Sequence, residues 1–321
     1  MRSRALGNSG MSVSVLGLGT NNFGSRLNKP DAAALVAAAL DAGVTFFDTA
    51  DIYGGMGAEC GDAERLLGAA LGAARGNVVV ATKFGMDMGA SAFPPEVPRG
   101  SPEYVRWAID GSLERLGTDH IDLYQYHEPD GLTPISETLG ALEELVVQGK
   151  VRAIGCSNLG AWELADAFWS SRFIGVRAFS SVQERYHLLD RRAERELAPA
   201  CVHYQVGLLP YYPLANGLLT GKYSRGEPPP VGSRLSWRTG WLTDSAFDHL
   251  ERLSSLAKDA GVSLLELAIG GLAAQGAVSS VLAGAMSAEQ VRANARAVNY
   301  IPTCDVKSEI DRIVTPGERV I

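Results

Sequence analysis

Eight short apolar runs recur along the chain, and a stretch of helical character lies between most successive runs. The runs are VLGLGT (15–20), VTFFDTA (44–50), NVVVATK (77–83), IDLYQYH (121–127), VRAIGCSN (151–158), AFSSVQ (178–183), VGLLPYY (206–212) and VSSVLAG (278–284). Near-continuous hydrophobicity marks strands buried on both faces, as in a parallel sheet covered by helices. Eight such strands with intervening helices predict a (β/α)8 TIM barrel, and a chain of 321 residues fits one domain of this kind spanning 1–321. The competing topology is a doubly wound sheet, which often carries G-x-G-x-x-G after its first strand. Here GLGTNNFG places glycines at 17, 19 and 24, the wrong spacing for that fingerprint.

Helix punctuation agrees with this alternation. In DAAALVAAALDAG, Asp31 is a candidate cap, Gly43 a stop, and Leu35, Val36, Ala39 and Leu40 a stripe. A similar design runs from Asp62 to Gly76, and SPEYVRWAIDGSLERLG opens with Ser101 as cap and Pro102 at the first helical position. The opening LGNSGMSV reads as a small hairpin placed to plug the N-terminal end of the barrel. Strands seven and eight are about seventy residues apart. That interval holds an irregular Gly-, Pro- and Arg-rich segment, 222–241, and then two helical stretches near 245–260 and 263–275. Irregular segments of this length usually act as lids or binding loops.

Composition narrows the function classes. Apolar residues make up 46% and charged residues 20%, with a net charge of −7 and no long basic run. Nucleic acid and anionic membrane are therefore not expected partners. The four cysteines, at 60, 156, 201 and 304, form no C-x-x-C pair, which favours reduced thiols over disulfides or zinc. The N-terminus lacks an apolar signal region, and no uncharged run of about 18 apolar residues occurs. A cytoplasmic location is the expectation.

In a barrel of this type, chemistry gathers where strands meet the loops that follow. Asp48 ends the second strand with Tyr53 just beyond, Lys83 ends the third and His127 the fourth. Each alone reads equally well as a cap, an ion pair or a packed rim residue. Together they suit proton delivery to an oxygen that gains negative charge. An ammonium lowers the tyrosine pKa, a carboxylate holds the ammonium, and a neutral imidazole orients a carbonyl.

With these residues in place, the sequence resembles the aldo-keto reductase superfamily, near the bacterial members related to potassium-channel β-subunits. The resemblance is carried by FFDTADIYG, ATKFG, QYHEPDGLTPISETLGALEELVVQGKVRAIGCSN and YPLANGLLTGKY, and runs from LGNSG to a segment ending at 298. It implies a (β/α)8 barrel that binds NADPH or NADH in extended form. Position by position, it implies Tyr53 as general acid, Lys83 as its partner, Asp48 as anchor and His127 as carbonyl orienter. Histidine at that position argues for carbonyl rather than carbon–carbon double-bond chemistry. Ser157, Asn158 and Gln183 match contacts to the nicotinamide carboxamide, and Tyr211 matches the aromatic that stacks on the ring. Pro213, Leu214, Gly217 and Lys222 would follow the pyrophosphate. Gly19, Thr20, Asn21, Asp48 and Gly284 complete the cofactor set with Met286, Gln290 and Asn294 at the adenosine end.

Two departures from the family pattern bear on this. Tyr212 stands where relatives often have Ser, either crowding the cofactor or turned outward. Met286 stands where many NADPH users place Arg or Lys, and methionine offers no charge to a 2′-phosphate. Ser287, Gln290, Arg292 and Asn294 remain as adenosine-side candidates. NADPH is the expected cofactor and NADH the alternative. The substrate is a small carbonyl compound or alcohol, and its pocket would draw on Asn21, Asn22, Phe23, Met86, Met88, Phe93, Trp237 and Trp241. A cofactor-binding regulatory subunit with little turnover is the rival function. A serine hydrolase is disfavoured because GCSNL (155–159) ends in Leu159 rather than glycine, and the five histidines show no metal-ligand spacing.

Overall fold

The computed structural model describes residues 1–54, 60–89 and 93–321. Two short antiparallel strands, β1 (Ser3–Ala5) and β2 (Ser12–Ser14), form the N-terminal hairpin. Eight parallel strands follow: β3 (Leu16–Gly19), β4 (Phe46–Asp48), β5 (Val79–Phe84), β6 (Ile121–Tyr126), β7 (Val151–Ser157), β8 (Ser181–Arg185), β9 (Gly207–Tyr211) and β10 (Val281–Gly284). They pair in the order β10-β3-β4-β5-β6-β7-β8-β9. The ring closes just before β10, where Leu208 N donates to Ala277 O at 2.9 Å and Ser279 N to Leu208 O at 3.0 Å. The helices are α1 (Lys29–Asp41), α2 (Asp62–Leu71), α3 (Pro102–Leu116), α4 (Ile135–Val147), α5 (Ala161–Ile174), α6 (Leu197–Tyr204), α7 (Asp244–Asp259), α8 (Leu264–Ala273), α9 (Ala288–Ala297) and α10 (Cys304–Ile313). This is a (β/α)8 barrel with an N-terminal hairpin.

Local chemistry sets the element ends, and two differ from the sequence expectation. The side chain capping α1 is Asn28, which accepts from Asp31 N; Asp31 lies inside the first turn, and Pro30 fits there because no intrahelical N–H is needed. Helix α2 stops at Leu71, where Gly72 adopts a positive φ, and the chain runs on as a 3-10 turn to Asn77. Ser101 caps α3 as expected, accepting from Tyr104 N.

Strand alternation sorts side chains between two cores. Phe47, Val80, Tyr124, Ile154 and Val182 point outward into the layer shared with the helices. Phe46, Ala81, Leu123, Ala153, Leu209 and Leu282 point inward and pack with Leu6 and Val13 of the hairpin. The hairpin therefore seals the N-terminal end, as its sequence suggested. Gly7 permits the close approach, since a Cβ there would collide with the Ser180 carbonyl oxygen. Two residues further along β4, β5 and β6, on the same inward face, stand Asp48, Lys83 and Gln125.

Candidate active site

The chain leaving β4 keeps pairing with β5 beyond Asp48. Thr49 N donates to Ala81 O at 2.9 Å, and Asp51 N to Lys83 O at 3.1 Å. A turn closed by Tyr53 N to Ala50 O at 3.1 Å then brings Tyr53 back over Lys83. Lys83 is fully buried, and its ammonium donates to Asp48 Oδ2 at 2.8 Å, Thr49 O at 2.8 Å and Tyr53 Oη at 3.5 Å. All three of its protons thus have acceptors. Asp48 is equally saturated, for its Oδ1 also accepts from Gln125 Nε2 at 3.2 Å and Gln183 Nε2 at 2.9 Å. A buried ion pair is tolerable only when its remaining hydrogen-bonding capacity is met in this way. Gly155 keeps the space beside Gln125 open, since a Cβ there would lie 3.1 Å from its Cγ.

Electrostatics separate the roles. Burial raises the Tyr53 phenol above its ordinary value; Lys83 opposes this and Asp48 reinforces it. Desolvation outweighs the lysine expected from the sequence to lower it, and Tyr53 holds its proton at neutral pH. Burial pulls the Lys83 ammonium down, but Asp48 and Tyr53 pull it up more strongly, so it stays charged. Burial, assisted by Lys83, pushes His127 well below the ordinary imidazole value, and its ring is neutral. The His127 ring meets Tyr53 edge-on, with centroids 5.8 Å apart. Because Lys83 donates to Tyr53 Oη, the phenol's own proton is left to point elsewhere.

A cavity of about 930 Å³ opens on this group. Most cofactor residues expected from the sequence line it, from Gly19, Thr20 and Asn21 through Ser157, Asn158, Gln183 and Tyr211 to Met286, Gln290 and Asn294, while Ser287 and Arg292 do not. Asp48, Tyr53 and His127 line it as well, while Lys83 lies just beneath. Asn158 adopts φ 59° and is clamped, donating to His127 O at 2.9 Å and accepting from Tyr211 Oη at 2.8 Å. Tyr212 turns inward: it lines the cavity and meets Tyr211 edge-on. The run Tyr212, Ala215, Asn216 and Gly217 has positive φ at each position, a costly local conformation outside glycine.

Several expectations fail here. Phe23 is buried in the main core, and Phe93 packs on Tyr104 and Trp107. Met88, Trp237, Ser287 and Arg292 are also absent from the cavity wall, as is Trp241, whose ring instead faces Arg185. Other residues were missed. Gln125 could have been found by counting two back from His127 on the inward face. Arg234 could not, because it arrives from the long segment 222–241. Its guanidinium donates to Asn22 Oδ1 at 2.8 Å and Asn216 Oδ1 at 3.4 Å, carrying residues 230–234 across the cavity. Arg26 adds a second tie, donating to Gly232 O at 3.1 Å.

The cavity suits an extended dinucleotide. Buried Asn216 Nδ2, Ser233 Oγ and His127 Nδ1 have no partner, and all three residues line it. Orphaned donors and acceptors of this kind call for a ligand or water. Lys222 and Arg234 add positive charge to the cavity wall beside the unusual backbone run.

The Aldo/keto reductase family model matches residues 15–314. The chain is 37% identical over 300 residues to the uncharacterized oxidoreductase YrpG of Bacillus subtilis (strain 168), covering 91% of this chain and 90% of that protein. It is 34% identical over 327 residues to a probable voltage-gated potassium channel subunit beta of Oryza sativa subsp. japonica, covering 98% and 97%. It is 34% identical over 279 residues to the probable aldo-keto reductase 1 of Glycine max, covering 84% and 77%.

Proposed function

The chain belongs to the aldo/keto reductase family, and from that premise we propose that it reduces an aldehyde or ketone to an alcohol, or runs the reverse, with Tyr53 as general acid. The observation that carries this is the buried chain from Asp48 through Lys83 to Tyr53, set beside a neutral His127 at the cavity floor. The family generally uses NAD(P)H, which when bound supplies a hydride for the carbonyl carbon.

The protein's own residues supply the rest. Ser157, Asn158 and Gln183 would fix the nicotinamide carboxamide, and Tyr211 would cover the ring. Gly217, Lys222 and Arg234 would hold the phosphates. His127 would donate a hydrogen bond to the carbonyl oxygen and set its angle. Tyr53 would pass its proton to that oxygen as negative charge develops, leaving a phenolate that the Lys83 ammonium stabilises. Asp48 keeps that ammonium in place. We take the cofactor to be NADPH; Arg26 and Arg234 are cations on the cavity wall.

Replacing Tyr53 by Phe removes the proton and keeps the ring. Turnover should fall by about 10²- to 10⁴-fold, while cofactor binding, read by tryptophan fluorescence, persists. Near wild-type turnover would sink the assignment. Met286→Arg should raise affinity for NADPH relative to NADH in the same titration; an unchanged ratio places the 2′-phosphate elsewhere. A second reading, a cofactor-binding regulatory subunit, draws support from the relatives named as potassium channel β-subunits. Cofactor binding with no turnover on any carbonyl, together with stable association with another protein, would favour it.

A further inference from the structure

Arg185 is the last residue of β8 and pairs in register with Tyr211. Gln183, two residues earlier, faces inward onto Asp48, and strand alternation puts Arg185 on the same inward face, one step nearer the mouth. It lines the cavity that Tyr53, His127, Ile52 and Met86 also line. Its guanidinium lies 5.8 Å from the centre of the Trp241 ring, which is delivered by the 3-10 turn Thr239–Trp241. The same guanidinium sits close enough to the Tyr211 phenol to oppose its upward shift.

Among the described residues Arg185 takes part in no ion pair within 4.0 Å, although Glu184 is near enough to feel its charge. The neighbouring acids are occupied otherwise: Glu184 Oε1 accepts from the Arg185 backbone N–H at 2.9 Å, and Asp190 pairs with Arg192 at 2.7 Å. A half-buried guanidinium on a cavity wall, with one donor engaged by the Tyr211 phenol and the rest of its five N–H groups left over, is a partner for a planar or tetrahedral oxyanion.

We propose that Arg185 is a specificity-determining residue that binds an oxyanion group, carboxylate or phosphate, carried by the carbonyl substrate. The inference rests on the reductase reading, since the group it binds would hold the carbonyl against Tyr53 and His127. Trp241 stands behind the guanidinium without lining the cavity, so the long segment 222–241 reaches Arg185 as well as crossing the cofactor end. Glu128, exposed on the same rim after His127, repels an anion placed near it and restricts the oxyanion to the Arg185 side.

The test compares matched substrates. Succinic semialdehyde and 4-carboxybenzaldehyde stand against butanal and benzaldehyde, and glyceraldehyde 3-phosphate stands against glyceraldehyde. In the native protein kcat/KM should favour the charged member of at least one pair. Arg185→Met should lower the charged-to-neutral ratio for that pair by about 10- to 100-fold, chiefly through KM, the range expected for one charge-assisted hydrogen-bonded contact. The pair that responds separates carboxylate from phosphate. Equal use of charged and neutral members, or a ratio that Arg185→Met leaves alone, overturns the proposal. A calorimetric titration with succinate and with inorganic phosphate, in the presence of cofactor, needs no turnover. Binding abolished by Arg185→Met upholds the anion site even if every aldehyde is refused, in which case the reductase reading alone falls. No binding of either anion, with no turnover preference, defeats the inference while leaving reduction of neutral aldehydes to stand for the reductase.

Discussion

The two ends of the barrel are made from the same strands, yet they are filled by opposite chemistry. At the N-terminal end Leu6 and Val13 of the hairpin meet Phe46, Leu123, Leu209 and Leu282 in a cluster with no titratable side chain. One inward step further along the strands, the filling becomes Asp48, Lys83, Gln125 and Gln183, all buried and joined by hydrogen bonds. The lower layer needs only shape and hydrophobicity, because it excludes water without asking anything of its atoms. The upper layer holds an ion pair that low polarity would penalise, and it survives because every donor on Lys83 has an acceptor. A closed apolar floor thus supports a polar layer whose charges stay fixed, and fixed charges are what proton delivery requires.

Cutting the upper layer should do the most damage. Lys83→Met leaves Asp48 buried without its cation, so we expect unfolding free energy to fall by about 3–5 kcal/mol and turnover to be lost with it. Denaturant unfolding and a carbonyl-reduction assay check the two together; a stable, active variant would mean the pair is ornamental. The lower layer should behave differently. Leu6→Ala opens a cavity in the plug and should lower stability by about 2–5 kcal/mol, while KM for substrate and cofactor affinity hold steady at temperatures where the fold persists. A change in KM at low temperature would show that the floor is coupled to the site.

A smaller effect separates the ion pair from its supports. Gln125→Leu removes one donor from Asp48 Oδ1 and the acceptor of a 3.3 Å bond from Gln183 Nε2, while the Gln183 bond to Asp48 stays. The bond lost to the carboxylate is about 1.5–3 kcal/mol, so kcat should drop by about 10- to 100-fold, less than for Lys83→Met. A loss as large as that of Lys83→Met would place Gln125 in the chemistry itself.

How much of this was legible beforehand divides along the same line. The alternation of apolar runs announced the barrel, and LGNSG announced the plug, because period and turn chemistry act over a few residues. Asp48, Lys83 and His127 stood out because each falls at or beside a strand end, with Tyr53 in the loop that follows Asp48. What stayed hidden depends on distant chain segments meeting. Arg234 reaches Asn22 across 212 positions of sequence, and no local pattern signals that contact. Phe23 looked like a pocket residue by its loop position, but the turn after β3 folds it into the core. The direction of the Tyr53 shift also escaped, since it is decided by how much water burial removes rather than by which neighbour is present.

Acid sensitivity draws the last contrast between the ends. The apolar floor has nothing to titrate, whereas the loop after β8 buries His187 completely, with Nδ1 accepting from Leu189 N at 3.2 Å and Nε2 unpartnered. Burial is the main cause that lowers its pKa, to about 4 from an ordinary 6.5, with Asp190 opposing. The unfolded chain therefore binds a proton that the folded chain refuses. Stability from this group is fully present above about pH 6.5 and declines as pH falls toward about 4, by at most about 1.4 kcal/mol per pH unit. His187→Asn keeps an acceptor for the Leu189 N–H and removes the titration. The variant should lose less stability than the native protein between pH 6 and pH 5, a difference of about 1 kcal/mol in denaturant unfolding. Equal losses in both proteins would move the acid sensitivity to other groups, with His127, also buried and neutral, the next to examine.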